Sequence, residues 1–155
     1  MARWRRVSIR RAGLAVACLA LAACDRDGGP LATDVRDLLQ PAGVSPQPMT
    51  CRMVGQTRMG VCALSLTDTE TASVVRALAL TDTTASRDAA SIADFVFAQA
   101  KGDCIGDAGS RRAVFVASGR PQALRLPGGT AFEELVLTVD LTTRQACIHA
   151  SYAYG

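Results

Sequence analysis

The chain has 155 residues, with 17 basic and 14 acidic side chains for a formal charge of +3, and 49% of its residues are hydrophobic. Five of the basic residues are arginines within the first eleven positions; from residue 24 onward twelve basic residues face fourteen acidic ones, a formal charge of −2. The basic excess therefore belongs to the N-terminal segment, and it supports no nucleic-acid partner for the rest of the chain.

Residues 1–23 read as a secretory signal. Met1 to Arg11 carries Arg3, Arg5, Arg6, Arg10 and Arg11 and no acid, and an apolar run follows from Gly13 to Ala23. A run of that length falls short of the roughly 20 helical residues that a bilayer core requires. It ends in Leu21-Ala22-Ala23-Cys24, which resembles the lipobox of bacterial lipoproteins. The resemblance covers the leader and Cys24 and extends no further. It implies a diacylglycerol on the Cys24 thiol, cleavage just before that residue, and a fatty acid such as palmitate on the new amine. One chain of about 14 carbons holds a membrane only marginally, whereas two or more anchor stably. The expected location is the cell envelope, lipid-anchored and facing the periplasm. Asp25 resembles the enterobacterial signal for retention in the inner membrane, with the outer membrane as the alternative.

Of the six cysteines, Cys18 leaves with the leader and Cys24 takes the lipid. Cys51, Cys62, Cys104 and Cys147 remain, an even set that in an exported chain reads as two disulfides.

Residues 24–48 read as a tether with a short helix and a proline-rich spacer. Thr33 and Asp34 stand where they would cap a helix running through Gln40, with Val35, Leu38 and Leu39 on one face. Pro41, Pro46 and Pro48 then interrupt regular structure. The domain is expected over 49–155, with the short helix as an alternative docked arm of it.

Cys51 to Leu66 reads as a hairpin turning between Gln56 and Thr57, which places Cys51 opposite Cys62. Their bridge is worth roughly 3 kcal/mol on the loop-entropy argument. Met49, Cys51, Met53, Cys62, Leu64 and Leu66 fall on the core side. Thr67-Asp68-Thr69-Glu70 is a capping box for a helix carrying Val74, Val75 and Leu78. Thr81 to Ser86 reads as polar linker, and a second helix starts at Ser86 or Ser91 and carries Ile92, Phe95, Val96 and Ala100. Ile105 to Ser110 is loop, Ala113 to Ser118 a strand, and Leu124 to Leu126 a short strand.

Phe132 to Leu141 and Ala146 to Tyr154 form the clearest hairpin. A loop centred on Thr143-Arg144 pairs Leu141 with Ala146, Val139 with Ile148, Leu137 with Ala150 and Leu135 with Tyr152. One face is then apolar, and the other carries Glu134, Val136, Thr138, Asp140, Cys147, His149 and Ser151. Such alternation reads as a sheet covered on one side. Cys104 is left to pair with Cys147, for about 4 kcal/mol. The expected fold class is α+β: an antiparallel sheet with two helices packed on one face, stapled by two disulfides.

His149 is the only histidine, with Asp140 diagonal to it and Ser151 two residues on, on the polar face. An acid, an imidazole and a hydroxyl suggest a hydrolase. Residues two apart on a strand are separated by about 7 Å, too far for a Ser–His hydrogen bond, and no Gly-x-Ser-x-Gly elbow is present. Asp140, His149, Ser151, Arg111 and Arg112 read first as an ordinary solvated polar face, with a ligand or partner face as the alternative. The thioethers and thiols of Met49, Cys51, Met53 and Met59 suit Cu(I), but register divides the methionines between faces and oxidation removes the thiols. Cys104, Cys147 and His149 form an incomplete zinc set, and Asp103, Asp107 and Ser110 lack EF-hand spacing. No cofactor or metal is expected. The sequence thus supports a non-enzymatic binding or assembly module, held to the membrane by lipid and meeting another envelope protein. Its competitors are an inhibitor or immunity-type protein presenting the Ile105 to Ser110 loop to an envelope hydrolase, and a small hydrolase or ligand carrier.

Overall fold

The computed structural model describes residues 29–46, 48–86, 88, 91–92, 104, 111–119 and 121–154. Cys24 and Asp25, the Ile105 to Ser110 loop, and the expected second helix beyond Ile92 lie outside these residues.

Six strands form one antiparallel sheet in the order β1-β2-β6-β5-β4-β3. They are β1 Thr50–Met53, β2 Met59–Ser65, β3 Thr81–Asp82, β4 Arg112–Ser118, β5 Phe132–Asp140 and β6 Gln145–Tyr152. Two helices, α1 Gly29–Leu39 and α2 Asp68–Ala77, lie over the apolar face. The α+β class, the antiparallel sheet with two helices on one face, and the disulfides Cys51–Cys62 and Cys104–Cys147 are those the sequence implies.

The membership of the helical layer differs from expectation. The α1 helix starts at Gly29, so Thr33 and Asp34 lie inside it rather than capping it. Leu31, Ala32, Val35, Leu38 and Leu39 are all buried in the main core, joined by Val44 beyond the 3₁₀ turn Gln40–Ala42. The short helix is therefore packed on the sheet, as the docked-arm alternative has it, and Val44 of the proline-rich stretch packs with it. Its apolar residues recur at helical spacing, and docking that stripe on the sheet removes it from water. Its first turn needs Gly60 beneath it, since a Cβ there would overlap the Leu31 side chain. The later helical segment begins at Ser91 and Ile92, and Ile92 packs against the opposite face of the sheet.

The first hairpin has the register read from the sequence, with Cys51 directly opposite Cys62. The capping box also forms. The Glu70 amide donates to the Thr67 hydroxyl at 3.2 Å, and the Thr67 amide and hydroxyl both donate to Glu70 Oε2 at 2.8 Å. The bond from the Thr67 amide, then that from its hydroxyl, holds the Glu70 carboxyl below its ordinary value.

Two segments are corrected. Thr81 and Asp82, expected as linker, pair with Val116 and Phe115 as an edge strand. Thr83 then continues the closure of β4, its amide and hydroxyl donating to the Val114 carbonyl at 2.8 and 3.0 Å. Leu124 to Leu126, expected as a strand, is a 3₁₀ turn over Gln122–Leu124 followed by a single bridge between Arg125 and Ala131.

The β5–β6 register is shifted by two residues from the expected one. Val139 pairs with Ala146, Leu137 with Ile148 and Leu135 with Ala150; a bulge at Glu133 then brings Phe132 opposite Tyr152. A shift of two preserves the faces. Its cause is the loop 141–144, where Asp140 Oδ1 accepts from the Thr142 and Thr143 amides at 2.8 and 2.9 Å and Arg144 is left-handed at φ 63°. An aspartate that accepts from the amides two and three residues on makes a tight turn of its own, and this moves the loop centre back by one position.

Candidate functional site

The polar face of the sheet is not an open surface. Asp140 is 1% exposed and His149 3%, and Thr138, Val136 and Cys147 are buried beside them. Val61, Val114, Val136, Cys104 and Cys147 make a second apolar cluster on this side, with Ile92 and Val116 packed against it. The expectation of a sheet covered on one side alone is therefore corrected: enough valines share the polar face to support a second, smaller core.

The register also separates the residues grouped there. His149 sits opposite Val136 on one side and Val61 on the other. Asp140 lies four positions further along β5, about 13 Å at strand spacing. The diagonal Asp140–His149 contact is absent, and the hydrolase geometry goes with it. Arg112 is instead the cross-strand neighbour of Asp140. Ser151 is half-buried opposite Met59 and Glu134, and Arg111 is exposed at the strand end, where its carbonyl accepts from the Leu141 amide at 2.9 Å. Desolvation holds the His149 imidazole below its ordinary value of 6.5, so at neutral pH it is an uncharged core residue.

Met49 is buried, Met53 exposed, and Cys51 is consumed in its disulfide. Among the described residues no group of three His, Cys, Asp or Glu side chains is placed to hold a metal ion. Nor is any described helix long and apolar enough to cross a membrane, which leaves strand-based crossing unaddressed.

Among the described residues, one concavity with a mostly apolar lining is not foreseen by the sequence. It is an open groove of ≈ 460 Å³ between α2 and strands β4 and β5. Ala113, Phe115, Val139 and Leu141 supply the sheet side, and Ala72 and Val75 supply the helix side. Asp68 and Arg76 stand at the rim, and Asp68 is paired with Arg144. Among the described residues the helical layer is narrower than the sheet, and this leaves the groove. Six strands span about 24 Å between the outer axes, while two helices at roughly 10 Å each cover somewhat less. With α1 against β1 and β2, the β4 side stays thinly covered, leaving Phe115 half-exposed and Leu141 exposed. The available signal was Phe115 itself, a large apolar residue on the apolar face of an outer strand.

A second feature lies at the other end of the sheet. Arg58, in the β1–β2 turn, stacks its guanidinium 4.2 Å from the Tyr154 ring centroid and donates to the Ala153 carbonyl at 3.4 Å. Beside it the Tyr152 hydroxyl donates to Asp34 Oδ2 at 2.6 Å, tying α1 to β6, and the Tyr152 and Phe132 rings meet at 4.7 Å. Burial first, then the Asp34 hydrogen bond and charge, push the Tyr152 phenol above its ordinary value.

The chain matches no protein-family model, and neither curated proteins nor solved structures provide a match.

Proposed function

We propose that the protein is a lipid-anchored envelope module without catalytic activity, which holds an apolar segment of another envelope protein in the groove between α2 and β4–β5. The observation that carries the reading is the groove's composition: an apolar floor around Phe115 and Leu141 with charged residues confined to the rim. A desolvated centre inside a polar border is the usual anatomy of a protein contact. The burial of His149 and Asp140 and their separation along the sheet weigh against hydrolysis.

The anchor in this reading is the Cys24 thioether to diacylglycerol, with a further acyl chain on its amine. A Cys24→Ala chain is expected to leave the membrane fraction; retention there would refute the anchor. For the groove, a photo-crosslinking side chain at Leu141 is expected to capture a distinct envelope protein, and a Phe115→Asp exchange to abolish the capture. Recovery of self-adducts alone would refute the partner.

The groove volume also falls among those of small-molecule sites, about 300 to 1,000 Å³, which gives the ligand-carrier reading one observation in its favour. Saturable binding of an apolar fluorescent probe, displaced by Leu141→Asp, would select the carrier over the protein-binding module.

A further inference from the structure

The two ends of the sheet differ in a way that bears on how the molecule stands at a membrane. At one end are the 54–58 turn, the close of β6 and the first turn of α1, which lies on Gly60. At the other are the 141–144 loop, the start of α2 and the groove. Cys24 is five residues before Gly29, so covalent geometry keeps the two α-carbons within about 18 Å of each other. The nine residues of β5 extend over roughly 30 Å. The connection is too short to let the molecule invert and press the groove end to the bilayer with the α1 end outermost. It leaves two arrangements: standing on the α1 end, or lying on one side.

The α1 end carries the surface suited to standing. Among the described residues the exposed large apolar side chains are Met53, Leu141 and Tyr154, and two of these three lie at this end. Tyr154 is 66% exposed and Met53 40%. An amphipathic ring with an arginine stacked on it matches the headgroup layer, where the ring sits at the apolar boundary and the guanidinium meets phosphate. Glu133 and Glu134 open β5 at the same end and are half-buried, and the Asp34 carboxylate accepts from Tyr152. Among the described residues, the exposed charged and large apolar side chains of this end are thus Arg58, Arg125, Tyr154 and Met53.

We infer that Arg58, Tyr154 and Met53 rest on the phospholipid headgroups beside the anchor, so that the protein stands with its groove turned away from the bilayer. The inference depends on lipid attachment at Cys24.

The test exploits the fact that the sole tryptophan is Trp4, within the leader. A mature, lipidated Tyr154→Trp chain and a Leu141→Trp chain each carry one reporter. Both are inserted into phosphatidylcholine–phosphatidylglycerol vesicles containing a lipid spin-labelled near the headgroup boundary. The expected result is loss of emission from the Tyr154→Trp chain and unchanged emission from the Leu141→Trp chain. Adding Arg58→Glu to the former is expected to restore emission with no change in its thermal unfolding. Equal quenching of both chains would mean that the protein lies on its side. A Tyr154→Trp chain that floats with the vesicles unquenched would equally overturn the contact, as would quenching indifferent to Arg58→Glu. Intact mass separates the underlying premise: a mature chain without the diacylglycerol increment, absent from the vesicles, removes the anchor and the inference together.

Discussion

The two faces of the sheet are built by different means. Under α1 and α2 the buried side chains of β5 and β6 are Phe132, Leu135, Leu137, Val139, Ala146, Ile148 and Ala150, apolar without exception. On the reverse face the same strands bury Val136 and Cys147 together with Thr138, Asp140 and His149. Alternation along a strand reports a difference in polarity between the two faces. It does not report that the more polar face meets water. Asp140 shows how a polar residue is accommodated there: one carboxylate oxygen spends itself on two loop amides.

The disulfides give the largest handle on that difference, since each face has one. Cys51–Cys62 closes a separation of 11 residues within a hairpin of the main core, and Cys104–Cys147 closes 43 residues onto the reverse face. The loop-entropy relation assigns about 3 kcal/mol to the first and about 4 kcal/mol to the second. Paired Cys→Ala exchanges followed by urea unfolding are expected to rank them in that order. A Cys104→Ala/Cys147→Ala chain that lost less than its hairpin counterpart would show that the reverse face is not held by its bridge.

Much of the main core was legible because its causes are local. The Cys51–Cys62 pairing follows from a hairpin register, and the α2 start from four consecutive residues, Thr67 to Glu70. What was left open or escaped depended on distant partners. The α1 helix has an apolar stripe of two turns, but its docking rests on a missing Cβ at Gly60 and on a tyrosine 118 residues beyond Asp34. The β5–β6 register moved because an aspartate side chain chose the loop centre. The groove follows from the relative widths of sheet and helical layer, which no single segment of sequence contains.

Val136 and Leu137 are chain neighbours on opposite faces, both buried. Replacing Val136 by threonine keeps its shape and exchanges one methyl for a hydroxyl. On an open sheet face this exchange is nearly neutral; in the second cluster the unpaired hydroxyl costs about 2 kcal/mol. A midpoint shift of that size in chemical unfolding is expected. No shift would return the reverse face to solvent.

The tie between α1 and the sheet is smaller. Tyr152→Phe removes the hydroxyl that donates to Asp34 while keeping the ring against Phe132. A hydrogen bond to a carboxylate in a half-buried setting makes this about 1.5 kcal/mol. The loss should fall on α1, so amide exchange there should rise more than in β6. Uniform acceleration throughout would place the effect in the core and not in the tie.

The smallest effect addresses the reverse face most directly. Desolvation depresses the His149 pKa below 6.5, which disfavours its charged form in the folded chain. Above pH 6.5 the ring is neutral whether the chain is folded or not, and it adds no pH dependence. As pH falls through 6.5 the unfolded chain takes up a proton that the folded chain refuses. Stability then declines by at most about 1.4 kcal/mol per pH unit until the folded imidazole itself titrates. Glu70 and Asp82, both lowered from ordinary values of 4.5 and 3.8, lose their contributions in a separate, more acidic window. Unfolding measured between pH 7.5 and 5.5 therefore isolates the histidine. His149→Gln is expected to flatten that slope even if it lowers stability throughout. A slope unchanged by the exchange would mean that the imidazole reaches water in the folded chain, and the distinction between a polar core and a polar surface would then be lost on this face.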